Sequence, residues 1–183
     1  MHRTWITIIK SLFLLISVFL QILFLNACDA KTPQSKPKTK ESTEETLEKA
    51  NRYLVRSEEE QIKDLIRRYQ WKMKATGTGL RYLIDSTGTG RKVKYGDKIS
   101  LTYTIRLLNG DVVKTSNETG PMQFFAGKGG VESGLEEGIL MMRKGDKAKF
   151  ILPSHLAFGL LGDGEKIPPR TALIYEVEIS DIQ

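Results

Sequence analysis

One cysteine (Cys28) and two histidines (His2 and His155) are all that this 183-residue sequence offers of the residues that most often carry metal or redox chemistry. A single cysteine excludes an intramolecular disulfide and any CxxC site. His155 has no nearby histidine with which to build a zinc site and reads as a surface or loop residue. No metal and no cofactor is called for. Phosphate-binding motifs are also missing: AGKGG (126–130) is neither a strand–GxxxxGK[ST]–helix nor a complete GxGxxG, so a nucleotide site has weak support. No stripe of arginines interleaved with aromatics occurs. The formal charge of +6 is spread among acids, as in EEEQIKDLIRR (58–68). That is the pattern of a solvated surface rather than a nucleic-acid interface. What remains is 40% hydrophobic and 27% charged, enough for one ordinary globular domain with some chain to spare.

The spare chain lies at the start. MHRTWITIIKSLFLLISVFLQILFLNAC has a basic opening (Arg3, Lys10), an apolar block from Leu12 to Leu25 broken only by Ser17 and Gln21, and a closing LNAC. The block is short for a membrane span and suits a signal peptide over 1–27. It resembles bacterial lipoprotein signals: Leu25, Ala27 and Cys28 match the lipobox, and Asn26 departs from its usual small residue. The match implies that Cys28 becomes the mature N-terminus and carries a diacylglycerol, usually with a further acyl chain. Each buried CH₂ contributes only about 0.8 kcal/mol, so stable anchoring takes more than one chain. The implied location is the bacterial cell envelope, with a lipid anchor in the membrane. Cleavage elsewhere, or an uncleaved anchor, is the alternative.

DAKTPQSKPKTKESTEE (29–45) has no Leu, Ile, Val, Met or aromatic residue and reads, with Cys28, as a disordered tether over 28–45. A helical segment is expected over 46–75. Leu47, Ala50 and Leu54 recur at helical spacing, Ser57 and Glu60 form a capping-box signature, and Ile62, Leu65, Ile66, Tyr69 and Met73 make one apolar stripe. The stripe needs a cover. Either the following domain or a second copy of the chain, in a homodimer, would supply it.

Beyond residue 76 the period shortens. GLRYLI (79–84) and ISLTYTIRLL (99–108) alternate like strands, the latter with Leu101, Tyr103, Ile105 and Leu107 on one face. Asn109–Gly110–Asp111 signals a hairpin. MQFFA (122–126), KAKFILP (147–153) and TALIYEVEISDI (171–182) read as further strands, and GLEEGILMM (134–142) as a short helix with Leu135, Ile139 and Met142 on one side. The fold class is therefore α+β, an antiparallel twisted sheet wrapped around one short helix, preceded by one or more N-terminal amphipathic helices. One stretch is unusual: PSHLAFGLLGDGEKIPP (153–169) combines three prolines and three glycines with Leu156, Phe158, Leu160, Leu161 and Ile167. Linkers are usually plainer.

Four segments taken together (GLRYLIDSTGTG, VKYGDKISLTYTIRLLNGDVV, GLEEGILMMRKGDKAKFILPSHLAFG and IPPRTALIYEVEISDI) resemble the FKBP-type peptidyl-prolyl cis-trans isomerases over about residues 79–183, within a domain drawn at 76–183. The signal, tether and N-terminal helices are similar to those of envelope-anchored members. The resemblance implies isomerisation of X–Pro bonds in exported, Pro-containing polypeptides, at a cleft between helix and sheet closed by the loop before the last strand. Residues 157–169 would be that loop, its apolar side chains forming wall. Matched motif to motif, the resemblance assigns catalytic places to Tyr103, Val131, Glu132, Leu135, Phe158 and Tyr175, and substrate-contacting places to Val113, Met122 and Ile167. Glu132 would offer its backbone N–H while its side chain faces water. Plain packing is the alternative reading of each apolar member.

The chemistry needs no nucleophile. The X–Pro barrier of roughly 20 kcal/mol comes from amide resonance. A dry cleft favours the twisted, less charge-separated amide, and a 10⁴-fold acceleration takes only about 5–6 kcal/mol of that preference. The sequence departs from the family at Val113–Lys114, where Phe–Asp is usual, and at Phe158, where tyrosine is usual. Weaker binding of macrolide immunosuppressants is the expected consequence. A catalytically weak chaperone or assembly module that binds unfolded or Pro-containing segments is the alternative to the isomerase.

Overall fold

The computed structural model describes residues 40–85 and 88–183. The expected signal peptide (1–27), Cys28 and most of the expected tether lie outside these residues. Among the described residues no helix is long and apolar enough to cross a membrane.

The first element is one long helix, α1 (Lys40–Arg68). The expected end of the tether at residue 45 falls inside it, and so does the Ser57/Glu60 pair, which caps nothing. The reason is compositional: Glu, Lys, Arg, Ala and Leu are good helix formers without needing burial, and pairs such as Arg52–Glu48 at 3.3 Å add support one turn apart. Arg67 and Arg68 occupy the last turn, where cations complement the helix dipole. Gln70 turns left-handed (φ 53°). Trp71 N–H then donates to Ile66 C=O at 3.1 Å and Gln70 N–H to Arg67 C=O at 3.2 Å, the paired bonds of a Schellman stop. Tyr69 and Met73 therefore lie past the helix, although the sequence stripe runs through them. Tyr69 instead stacks on Trp71, ring centroids 4.9 Å apart.

A seven-stranded antiparallel sheet follows: β1 (Lys74–Ala75), β2 (Arg81–Asp85), β3 (Lys98–Leu107), β4 (Val112–Thr115), β5 (Met122–Phe125), β6 (Lys147–Leu152) and β7 (Leu173–Ile182). Its order is β1-β2-β6-β7-β3-β4, with β5 also on β3. β4 is a strand the alternation did not announce: VVKT opens on two adjacent apolar residues and then turns polar, so it shows no alternation. The hairpin before it is as expected: Gly110 sits at φ 100° and the Asn109 side chain accepts from Asp111 N–H at 3.0 Å. A one-turn helix α2 (Ser116–Thr119), capped by Thr115, and the short helix α3 (Ser133–Ile139) complete the set.

Alternation sorts the central strands into two faces. Across β6, β7 and β3, the rows Phe150–Tyr175–Ile105 and Ala148–Val177–Tyr103 share one face, and Ile151–Ile174–Arg106 and Lys149–Glu176–Thr104 the other. α3 covers the first face. Its approach depends on two glycines: a Cβ at Gly138 would meet the Phe150 ring at 2.7 Å, and one at Gly134 would meet Leu152 at 2.7 Å. The main core forms there, with Leu135, Ile139, Phe150, Leu152, Leu173 and Tyr175 fully buried. The C-terminal half of α1 covers part of the opposite face, where Ile62 and Leu65 pack on Ile151, Ala172 and Ile174. Of the two covers left open for the apolar stripe, the chain's own domain takes these two residues.

Candidate active site

The nine implied site residues come from five elements and two loops: Tyr103 from β3, Val113 from β4, Met122 from β5, Val131 and Glu132 from the turn into α3, Leu135 from α3, Phe158 and Ile167 from the loop 153–172, and Tyr175 from β7. The eight apolar or aromatic members belong to one contiguous packed cluster. Tyr103, Val113, Leu135, Ile167 and Tyr175 are buried in it, and Met122, Val131 and Phe158 lie half-buried against it. Residues up to 72 positions apart are thus brought together on the face under α3 by antiparallel pairing and by the returning loop.

Glu132 departs from expectation. It is the N-cap residue of α3, yet its side chain makes no capping bond. One carboxylate oxygen, Oε2, is buried without a hydrogen-bond partner among the described residues, and so is the hydroxyl of Tyr175. The two groups are electrostatic neighbours: burial first, then the Glu132 carboxylate, push the Tyr175 phenol far above its ordinary value. The side chain therefore turns inward rather than to water. The outward-facing expectation fails because a carboxylate's usual preference for solvent is overridden where Glu132 packs half-buried beside the Tyr175 hydroxyl. The backbone of Glu132 is extended (φ −60°, ψ 139°) and its C=O accepts from Glu136 N–H at 3.0 Å. Its own N–H has no partner among the described residues.

Tyr103 is held at two points. Its N–H donates to Ser116 Oγ at 3.2 Å, and its hydroxyl lies 2.6 Å from Thr119 Oγ1. Thr119 therefore supplies the polar neighbour of this tyrosine; Lys114, at the place of the family's carboxylate, is exposed. Sequence reading missed Thr119 because α2 is a single turn with no periodic signal.

The loop 153–172 begins with a 3₁₀ turn (Ser154–Leu156). Its tip is organised by Asp163, whose carboxylate accepts from Ile167 N–H at 2.7 Å and Glu165 N–H at 2.9 Å. Burial raises the Asp163 pKa, but these N–H donors outweigh it and hold the carboxyl below its ordinary value. Arg170 N–H donates to Gly159 C=O at 3.0 Å and staples the two stems. Leu156, Phe158 and Ile167 do turn inward, whereas Leu160 and Leu161 are 64% and 84% exposed. They are not wall. A loop pinned by Gly159 and Gly162 at positive φ carries the residues between them away from the sheet.

AGKGG forms no phosphate cradle: the Gly129 N–H already donates to the Glu136 carboxylate at 2.7 Å. Among the described residues no cluster of three His, Cys, Asp or Glu side chains could hold a metal ion. A concavity of about 560 Å³ lies on the other face of the sheet among Thr102, Thr104, Lys149 and Glu176. It is open and lined by ion pairs such as Lys149–Glu176 at 2.9 Å, so it lacks the dry walls that amide twisting needs.

Comparison with known proteins agrees with this arrangement. Residues 89–180 match the family model of the FKBP-type peptidyl-prolyl cis-trans isomerases. A probable FKBP-type peptidyl-prolyl cis-trans isomerase of Haemophilus influenzae is 33% identical over 161 residues, which are 84% of this chain and 66% of that protein. FK506-binding protein 2 of Dictyostelium discoideum is 41% identical over 105 residues, 57% of this chain and 77% of the relative. Among solved structures, FkpA from Escherichia coli superimposes with a TM-score of 0.62 at 27% identity, covering 79% of this chain and 73% of that one. AtFKBP13 superimposes with a TM-score of 0.59 at 30% identity, covering 62% of this chain and all of that one. With the sheet wrapped on α3, the clustered pocket residues and a family match across half of its length, the chain belongs to the FKBP-type peptidyl-prolyl cis-trans isomerases.

Proposed function

We propose that the chain isomerises X–Pro bonds of exported proteins while anchored to the bacterial cell envelope through a lipidated Cys28. The observation that carries the catalytic part is the gathering of Tyr103, Val113, Met122, Val131, Leu135, Phe158, Ile167 and Tyr175 into one apolar cluster, beside a Glu132 N–H that has no partner among the described residues and can donate to a substrate carbonyl. The proline ring enters among the aromatic and aliphatic side chains, the Glu132 N–H holds a carbonyl of the peptide, and the low-polarity wall favours the twisted amide over the planar one. No proton moves. A proline-limited peptide assay tests this: the chain accelerates cis-to-trans conversion, and Tyr103→Ala lowers kcat/KM at least tenfold, about 1.4 kcal/mol of transition-state stabilisation. Turnover equal to the uncatalysed rate in the unaltered chain overturns it. The anchoring part rests on the LNAC signal at Leu25–Cys28, and mass spectrometry of the native N-terminus checks it.

A second reading is the weakly catalytic chaperone or assembly module. The exposed Leu160–Leu161 pair on the loop and the Val113, Lys114 and Phe158 departures support it, since exposed apolar residues beside a cleft suit the holding of unfolded chains. Slow turnover combined with suppression of aggregation would select it. Exposed Tyr53, Leu54 and Val55 on α1 support a homodimer through this helix, which measurement of the solution mass by sedimentation equilibrium checks.

A further inference from the structure

The loop 153–172 contributes two pocket residues, Phe158 and Ile167, yet only its own turns and one stem bond hold it together. Outside itself it is tied to Thr78, whose C=O lies 2.9 Å from His155 Nε2, to Val113, whose C=O accepts from Lys166 Nζ at 3.3 Å, and to α1, which holds its entry and its exit. At the entry, Glu58 accepts from both Ser154 N–H (Oε1, 2.7 Å) and Ser154 O–H (Oε2, 3.0 Å). At the exit, Arg170 Nη1 donates to Asn51 Oδ1 at 3.2 Å, and Ala172 packs against the Ile62 and Leu65 cluster. Ser154 is itself buried. Two residues on, Leu156 lies where a Cβ on Gly134 of α3 would meet it at 3.0 Å. A continuous set of contacts therefore runs from Glu58 through Ser154 and Leu156 to the first turn of α3 and to Phe158.

We propose that Glu58 is a positioning residue for the isomerase site: by clamping Ser154 from the opposite face of the sheet, α1 sets the placement of the loop that carries Phe158 and Ile167. The proposal rests on the isomerase reading of that site. Both carboxylate oxygens are engaged, and hydrogen bonds to an ionised acceptor are stronger than neutral ones, so loss of the carboxylate loosens the loop entry and leaves it held by the His155 contact to Thr78 and by buried Leu156. Neighbouring Glu59 provides the internal control. It pairs with Arg81 of β2, so it also ties α1 to the domain, without touching the loop.

The test measures proline-limited turnover, thermal unfolding and amide hydrogen exchange for Glu58→Ala, Glu58→Gln and Glu59→Ala in the 183-residue chain. In Glu58→Ala, kcat/KM should fall about tenfold, and exchange at residues 154–159 should speed up about tenfold while the β3 and β7 amides keep their protection. Glu58→Gln, which keeps one acceptor oxygen, should recover part of both. Glu59→Ala should leave turnover and loop exchange unchanged. Equal losses in Glu58→Ala and Glu59→Ala would mean only that α1 docking supports the fold, and overturn the clamp. Unchanged kcat/KM in Glu58→Ala overturns it as well. If the unaltered chain shows no turnover, the isomerase reading fails, and exchange at 154–159 alone decides whether Glu58 clamps the loop.

Discussion

The two faces of the central sheet use the same three strands for opposite ends. Under α3 every inward position of β3, β6 and β7 is apolar, from Ile99 to Val177, and the glycines of α3 let the helix seat directly on Phe150 and Leu152. On the other face the rows are split. Ile151 and Ile174 receive α1, while Lys147, Lys149, Glu176 and Glu178 form a charged ladder, with Lys149 also lying 4.1 Å from the Trp71 ring centroid. One face is dry enough to favour a twisted amide. The other is a docking face and a solvated surface, and its open concavity, walled by ion pairs, is no rival for the site. The contrast shows that the polarity of a hollow's walls is what fits it to this chemistry.

The difference can be sharpened by disturbing each face in turn. Phe150→Ala, beneath α3, should cost about 3–5 kcal/mol by opening a cavity against Gly138, read as a lower denaturant midpoint, and should abolish turnover. Ile62→Ala, on the α1 side, belongs to a smaller cluster and should cost about 2 kcal/mol; a loss as large as that of Phe150→Ala would break the ranking of the faces. Phe158→Tyr restores the hydroxyl usual in the family, and a macrolide titration should then show affinity rising about fivefold, equivalent to ~1 kcal/mol. An unaltered chain with the tight affinity of a tyrosine-bearing member would remove the rationale. The smallest effect is expected for Tyr175→Phe. Removing a buried hydroxyl that meets the hydrogen-bond geometry of no partner among the described residues and lies beside the Glu132 carboxylate should leave stability unchanged or raise it by up to about 1 kcal/mol, whereas Tyr103→Phe loses a hydrogen bond to Thr119 and should cost about that much. Thermal melts of the two variants side by side settle the order.

Much of the apolar face was legible because alternation is local. Leu101, Tyr103 and Ile105 announce their shared side from spacing alone, and the TALIYEVEISDI segment does the same for Leu173, Tyr175 and Val177. The strand pairing itself was carried by resemblance, since periodicity names a face and not a partner. α1 was mis-bounded because its first turns contain no apolar stripe, and helix propensity without burial leaves little trace in a hydrophobic pattern. Glu132 was turned the wrong way because solvent preference is an average over positions, and its own position faces Tyr175.

The residues by themselves determined the strand-and-helix pattern of an α+β fold and which side chains share an apolar face, because these follow from composition and from a period of two. Tertiary structure alone decided that Glu58 reaches Ser154 across 96 residues, that Thr119 serves Tyr103, and that Leu160 and Leu161 stay outside. Such contacts depend on direction and distance between groups far apart in the chain, and neither quantity is written in the order of the amino acids.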